Sequence, residues 1–221
     1  MAPTLVILHG WGSDLARWRP LVNKLKDAGL KVVLPGLPKD KVRSTADFSD
    51  WLNQKTKTLA PFYLAGHSFG GQVAINFAAS YPGRVKKLIL ISSAGIRRRS
   101  LKSLLILPLA KLFKGLVSQK IKPFLYRLIG ETDYIKASPV MKETMKLILK
   151  EDQQENLKKI TLPTLLLWGE RDRYTPLDQA KLMQSALSNS QLVIFPGGKH
   201  GLPFSHPRQI KEKILWFIGS K

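Results

Sequence analysis

The sequence predicts an α/β fold: a doubly wound, mostly parallel sheet of about six strands, with a helical lid inserted after the fourth strand. Six short runs are almost entirely apolar, as expected of parallel strands that are covered on both faces. Segments with a helical spacing of apolar residues lie between most of these runs. A stretch of about 70 residues after the fourth run keeps the helical spacing but contains no strand-like run.

The strand-like runs are separated by turns that contain glycine or proline. Helical spacing follows the first run and ends at Gly29, and two later helical segments begin beside Pro176 and Pro207, a residue type typical of the first helical turn. Strands that alternate with helices indicate a parallel sheet with helices on both faces. The six predicted strands are Leu5–Leu8, Leu30–Leu34, Phe62–Ala65, Leu88–Ile91, Thr164–Trp168 and Leu192–Phe195.

One segment interrupts this alternation. Between Ile91 and Thr164, proline and glycine divide a series of helical patterns into short pieces. We therefore predict a core of residues 1–94 and 160–221 and a helical lid of residues 95–159. A chain of 221 residues is long enough for one such core with an insertion.

The composition is strongly basic, with 36 Lys and Arg against 15 Asp and Glu, for a net charge of +21. Nine basic residues and no acidic one lie between Arg97 and Gly130. A field of this sign attracts anions. We interpret the charge as compositional, with a weak contact between the lid and an anionic membrane as the alternative. No specific nucleic-acid partner is expected, because no RNA-binding aromatic motif or recognition helix is visible.

Several other classes of protein are disfavoured by composition. The absence of cysteine excludes disulfides, thiolate metal sites and a cysteine nucleophile. The four histidines lack the spacing of a metal site, so no metal and no cofactor are expected. The start of the chain lacks the features of a secretory signal, and the longest apolar run, Leu104–Ala110, is too short to cross a bilayer. A cytoplasmic protein is the expectation.

A Gly-x-Ser-x-Gly pentapeptide, residues 66–70, lies between the third predicted strand and a helix. A serine on such a sharp turn has a strained backbone and an exposed hydroxyl, and the flanking glycines let the strand and the helix approach closely. Ser68 is therefore a candidate nucleophile.

Two further candidates follow the fifth and sixth strands, where an open α/β sheet binds its ligands. His200 would accept the proton of the serine hydroxyl, and Asp172 would orient the imidazole. Glu170 is an alternative acid. His206, six residues after His200, is interpreted as structural.

The loop after the first strand reads His9-Gly10-Trp11-Gly12. A tetrahedral oxyanion needs two preorganised donors, and the backbone N–H groups of Trp11 and Phe69 are predicted to supply them. His9 and His67 are predicted to be structural, with hydrogen bonds to the loops around the serine turn.

Taken together, these motifs resemble the α/β-hydrolase superfamily, in which nucleophile, acid and histidine follow one another in this order. The resemblance covers nearly the whole chain and includes the position of the lid.

Two features depart from it: family members commonly have two further strands before the His-Gly loop, and the loop of residues 35–39 is short. The second strand would then be a sheet edge. The short loop after it would open one wall of the pocket, and cover by the segment 43–51 is the expected compensation. Such an edge is a candidate for pairing two chains, although Lys31 would oppose pairing.

The resemblance implies a serine hydrolase that cleaves small-molecule carboxylic esters through an acyl-enzyme, with acyl groups of short to medium length. Thioesters, lactones and vinylogous carbon–carbon substrates remain alternatives because they share the same oxyanion chemistry. A non-catalytic protein that binds anionic lipid or nucleic acid through the basic lid is the alternative from another class. The predicted substrate-binding residues are Trp11, Phe69, Leu105, Leu109, Tyr126, Tyr134 and Met141.

Overall fold

The structure, a computed structural model, describes residues 2–97 and 137–220. Six parallel strands form one sheet in the order β2-β1-β3-β4-β5-β6, which confirms the predicted architecture and the edge position of the second strand. The strands are β1 (Thr4–Leu8), β2 (Lys31–Val33), β3 (Phe62–His67), β4 (Val85–Ile91), β5 (Thr164–Gly169) and β6 (Ser190–Phe195).

Within the described residues, helices cover both faces of this sheet. They are α1 (Arg19–Asp27), α2 (Thr45–Lys55), α3 (Phe69–Ser80), α4 (Pro139–Ile148), α5 (Gln154–Lys159), α6 (Leu177–Ala186), α7 (Leu202–Ser205) and α8 (Pro207–Gly219). Short 3-10 turns at Leu15–Trp18 and Pro82–Arg84 precede α1 and β4. None of the helices described is long and apolar enough to cross a membrane.

Alternate residues of each strand serve two separate cores. In β1, Val6 and Leu8 pack with α2, α3, α5 and α6, whereas Leu5 and Ile7 pack with α1 and α8. This alternation follows from the two-residue period of a strand. Because both faces of the sheet are buried, residues of either parity along a strand are apolar, and the strands appear in the sequence as near-continuous apolar runs.

The segment predicted to cover the open wall of the pocket lies mostly in helix α2. Ser44 and Asp47 form a capping box at its start, and Phe48 and Leu52 are buried in the core beside α3. Arg43 N–H donates to Thr144 Oγ1 at 3.3 Å, which links the start of α2 to α4.

The predicted lid of residues 95–159 lies largely outside the described residues, as does most of the basic run between residues 97 and 130. Its last part is described and packs on the core: Ile148 and Leu157 are buried in the same cluster as Leu166 of β5. Gln153 N–H donates to Gly95 O at 2.7 Å, so the two ends of the insertion lie close together. The lid boundary stays a prediction.

Candidate active site

Ser68 occupies the sharp turn between β3 and α3. Its backbone has φ 54° and ψ −121°, a conformation that residues other than glycine rarely adopt. Its N–H donates to Ile91 O at 3.1 Å, and its carbonyl accepts from the N–H groups of Gly71 and Ala94, each at 2.9 Å. The surrounding strands thus hold the serine in the strained geometry that the pentapeptide predicts, with its side chain half-buried.

Two glycines of the pentapeptide permit this close approach of strand and helix. A Cβ atom on Gly70 would overlap the carbonyl oxygen of Leu8 in β1, and one on Gly66 would overlap the carbonyl of Gly70. Both obstacles are backbone atoms, which cannot rotate away as a side chain does. The turn therefore requires glycine at these two positions.

The His-Gly loop lies directly against this turn. A Cβ atom on Gly10 would stand only 3.2 Å from Cβ of Ser68. The rings of Trp11 and Phe69 meet edge to face with their centroids 5.5 Å apart. Phe69 is the first residue of α3, where backbone N–H groups have no intrahelical acceptor.

His9 is a buried, hydrogen-bonded part of the same loop. Its Nδ1 lies 2.8 Å from Gly10 O, and its Nε2 accepts from Leu37 N–H at 3.2 Å. Burial lowers the pKa of His9, and the charge of Lys39 acts in the same direction, against the hydrogen bond to Gly10 O. The predicted role of this residue was structural, with hydrogen bonds to the loops around the serine turn, and these two contacts agree with it.

Asp172 and His200, which follow β5 and β6, lie in direct contact. His200 Nδ1 and Asp172 Oδ2 are 2.9 Å apart. The Asp172 side chain is fully buried, whereas 19% of the His200 side chain remains exposed. Asp172 Oδ1 also accepts from the N–H groups of Tyr174 and Thr175, at 2.9 and 3.0 Å. The carboxylate is thus held firmly and the imidazole keeps one accessible side.

The charge state of Asp172 follows from these contacts. Burial by itself raises the pKa of the carboxyl, but the hydrogen bond and charge of His200 and the N–H of Thr175 outweigh it, and the net pKa is lowered. The group is therefore ionised at neutral pH. An ionised carboxylate at Nδ1 of His200 fixes the proton there and leaves Nε2 as the basic nitrogen.

His67, the residue before Ser68, connects the serine turn to the His200 loop. Its Nε2–H donates to His200 O at 2.9 Å, and the two rings are 5.0 Å apart. Complete burial, with a smaller effect of the charge of His200, lowers the pKa of His67 to about 3. His67 is therefore neutral, and its contact keeps the His200 loop beside Ser68.

Thr175 contacts the Asp172–His200 pair, and the sequence analysis did not identify it. Its Oγ1 lies 2.9 Å from Asp172 Oδ2, 3.1 Å from Ser92 O and 3.3 Å from His200 Nδ1. The only sequence signal is local: Asp172 precedes a turn in which its side chain accepts from residues two and three positions later. The contacts with Ser92 and His200 join distant parts of the chain and have no sequence signal.

The alternative candidates make other contacts. Glu170 Oε2 accepts from Gly197 N–H at 2.8 Å and is exposed. His206 lies at the start of α8, with Nδ1 2.8 Å from Ser205 Oγ. Of the two carboxylates considered, the one in contact with His200 is Asp172.

A small cleft opens beside the His-Gly loop. Its walls come from the loop after β1, the loop after β2, and helices α2 and α4, and include Trp11, Leu37, Lys39, Phe48, Met141 and Thr144. Two predicted substrate-binding residues, Trp11 and Met141, line it. Phe69 packs against the Phe48 ring with centroids 5.1 Å apart. Leu105, Leu109, Tyr126 and Tyr134 lie outside the described residues.

Sequence comparison with known proteins identifies α/β hydrolases as relatives of this chain. A sequence model of the Alpha/beta hydrolase family matches residues 5–212. A 2-hydroxy-6-oxononadienedioate/2-hydroxy-6-oxononatrienedioate hydrolase of Paraburkholderia phymatum is 29% identical over 98% of this chain and 87% of its own length. A pimeloyl-[acyl-carrier protein] methyl ester esterase of Aeromonas hydrophila is 27% identical over 98% of this chain and 96% of its own.

Solved structures share the fold. A bromoperoxidase from Bacillus anthracis superimposes with a TM-score of 0.78 at 23% identity, over 100% of this chain and 93% of that one. At this level of identity the likeness concerns the fold alone.

Proposed function

The chain belongs to the Alpha/beta hydrolase family, and from this premise we propose that it is a serine hydrolase that cleaves carboxylic esters of small molecules, with acyl groups of short to medium length. The observation that carries the proposal is the 2.9 Å contact between His200 Nδ1 and Asp172 Oδ2 beside the strained Ser68 turn. Nucleophile, base and orienting acid are the three groups that such a reaction requires.

In the proposed reaction Ser68 Oγ attacks the ester carbonyl carbon while His200 Nε2 takes the hydroxyl proton. The tetrahedral intermediate then expels the alcohol, which receives the proton from Nε2, and an acyl-enzyme remains. His200 Nε2 next removes a proton from water, whose oxygen attacks the acyl carbon. The second tetrahedral intermediate then breaks its bond to Ser68 Oγ, which takes the proton back from Nε2, and the carboxylic acid is released. Asp172 stays ionised throughout and stabilises the imidazolium. No cofactor takes part in these steps.

The backbone N–H groups of Trp11 and Phe69 are the proposed donors to the oxyanion. Their support is the short approach of the His-Gly loop to Ser68, 3.2 Å from a Cβ on Gly10 to Ser68 Cβ. Two preorganised N–H donors stabilise the charge that develops on the oxygen more than that of the ground-state carbonyl.

The relatives support hydrolysis and suggest two kinds of bond that this protein would cleave, an ester bond or a carbon–carbon bond. The Aeromonas hydrophila relative is an esterase by name, which favours the ester substrate. The Paraburkholderia phymatum relative acts by name on oxo-dienedioates, which makes a carbon–carbon substrate the second candidate. Both reactions would use the same nucleophile and oxyanion donors, so a substrate panel decides between them.

The deciding experiment replaces Ser68 by alanine. We expect hydrolysis of p-nitrophenyl butyrate to fall by about 1,000-fold or more, because without the nucleophile only the oxyanion donors and substrate binding contribute. A fluorophosphonate probe should label wild type at Ser68 and leave S68A unlabelled.

The matched control is S80A, since Ser80 is the exposed last residue of the same helix. It should retain wild-type turnover. Circular dichroism and thermal unfolding of all three proteins establish that they are folded. Turnover by S68A at the wild-type rate would refute the proposal.

A further inference from the structure

We propose that the cleft beside the His-Gly loop binds a carboxylate on the acyl part of the substrate, so that the preferred esters are monoesters of dicarboxylic acids. The inference rests on the proposed function and specifies its substrate class. It comes from three polar side chains in walls that are otherwise mostly apolar, each of which donates a hydrogen bond or carries positive charge. The remaining polar side chain of the walls, His9, has both ring nitrogens engaged by Gly10 O and Leu37 N–H.

Trp11 supplies the first of these donors. Its Nε1–H is buried and finds no hydrogen-bond acceptor among residues 2–97 and 137–220. A buried donor without an acceptor has lost its hydrogen bonds to water and gained none in return, which is unfavourable. An oxygen-bearing ligand in the cleft would remove this cost.

Lys39 supplies the positive charge. It lines the cleft on the loop after β2 and lies near enough to His9 for its charge to act on that imidazole. Among the residues that the structure describes, no carboxylate pairs with Lys39. The nearest acid along the chain, Asp40, is engaged by Arg43 in two hydrogen bonds of 2.7 and 3.1 Å.

Thr144 adds a hydroxyl from the opposite wall. Its Oγ1 accepts from Arg43 N–H at 3.3 Å, and its own proton has no acceptor in the described part of the chain. None of the described residues that line the cleft is an aspartate or a glutamate. An indole N–H, a hydroxyl and an ammonium group together suit a carboxylate, which accepts hydrogen bonds and carries the opposite charge.

Trp11 connects the cleft to the serine turn. Trp11 belongs both to the cleft and to the loop that contacts Ser68, and its ring packs on Phe69. In the proposed complex an acyl chain that starts at Ser68 passes the Trp11 side chain to reach the cleft. The apolar walls at Leu37 and Phe48 suit the methylene groups between the two carbonyl carbons.

The kinetic test compares p-nitrophenyl hydrogen glutarate with p-nitrophenyl pentanoate, which has the same chain length but no charge. Wild type should prefer the glutarate. In K39M the ratio of the two kcat/KM values should fall by about three- to tenfold, mainly through KM, because the lost group binds substrate and takes no part in bond breaking. K39R should retain the preference.

K41M is the matched control, because Lys41 is an exposed neighbour that does not line the cleft. It should leave the ratio unchanged. An equal loss in K41M, or no loss in K39M, would overturn the proposal.

A binding measurement separates this inference from the catalytic one. Calorimetric titration of S68A with glutarate should give a Kd about three- to tenfold lower than titration of S68A/K39M. This result needs no turnover, so it tests the carboxylate site even if no ester is hydrolysed. Equal affinity of both variants for glutarate would contradict the site.

Discussion

The buried neutral His67 makes the stability of this protein depend on pH in a way that the structure quantifies. The pKa of His67 is lowered from 6.5 in the unfolded chain to about 3, first by burial and then by the charge of His200. Between these values the unfolded state binds more protons than the folded state. The free energy of unfolding therefore rises with pH in this window and falls as pH decreases below about 6.5.

The expected magnitude follows from the two pKa values. On lowering the pH from 7 to 5, protonation of the unfolded histidine should reduce the free energy of unfolding by about 2 kcal/mol, and about a third of this loss should appear by pH 6. Keeping the pH at 5 or above limits interference from carboxyl groups with lowered pKa values, such as Asp172.

The assay is urea unfolding of wild type and H67Q at pH 5, 6, 7 and 8. Glutamine keeps an N–H donor for His200 O but cannot bind the proton, so wild type should lose about 2 kcal/mol more than H67Q between pH 7 and pH 5. The comparison cancels the effect of other groups, such as His9, that titrate in both proteins.

An NMR titration gives an independent check on the folded wild type. The ring protons of His67 should show no inflection between pH 5 and pH 8. Titration of this residue near pH 6.5, or the same pH dependence in wild type and H67Q, would refute the reasoning.

The remaining predictions concern the site and the serine turn. Thr175→Val removes the hydroxyl 2.9 Å from Asp172 Oδ2, so kcat/KM for p-nitrophenyl butyrate should fall about tenfold, whereas Thr175→Ser should stay near wild type; equal activity of the two variants would contradict this. Gly70→Ala should lower the free energy of unfolding in urea by about 3 kcal/mol, because its Cβ overlaps Leu8 O. Gly83→Ala is the control, since its Cβ meets no atom within 4 Å, and an equal loss there would contradict the steric argument.

The strands were predictable because their signal is local. The inner strands are buried on both faces and read as apolar runs. The structure extends five of the six runs by one to three residues, as in β4, which starts at Val85 instead of Leu88, and shortens the edge strand β2 to Lys31–Val33. Hydrogen bonding of the sheet, which residue polarity does not encode, sets these ends.

The candidate site was predictable in part for a similar reason. Ser68, Asp172 and His200 each follow a strand, and the carboxyl ends of parallel strands meet at one edge of the sheet. The contact of Asp172 with His200 then depends on two short turns. The contact of Thr175 Oγ1 with Ser92 O, by contrast, joins residues 83 positions apart and has no local signal.

The sequence by itself determined which residue types follow which strand. That placement was enough to predict the family and the candidate nucleophile, acid and base. Only the tertiary structure decided how those groups are held, through the buried neutral His67, the hydroxyl of Thr175, and the cleft in which Lys39 stands without a carboxylate partner among the described residues. The physical reason is that local sequence patterns record burial and turns, whereas pKa values, unpaired donors and cleft walls depend on atoms that distant segments bring together.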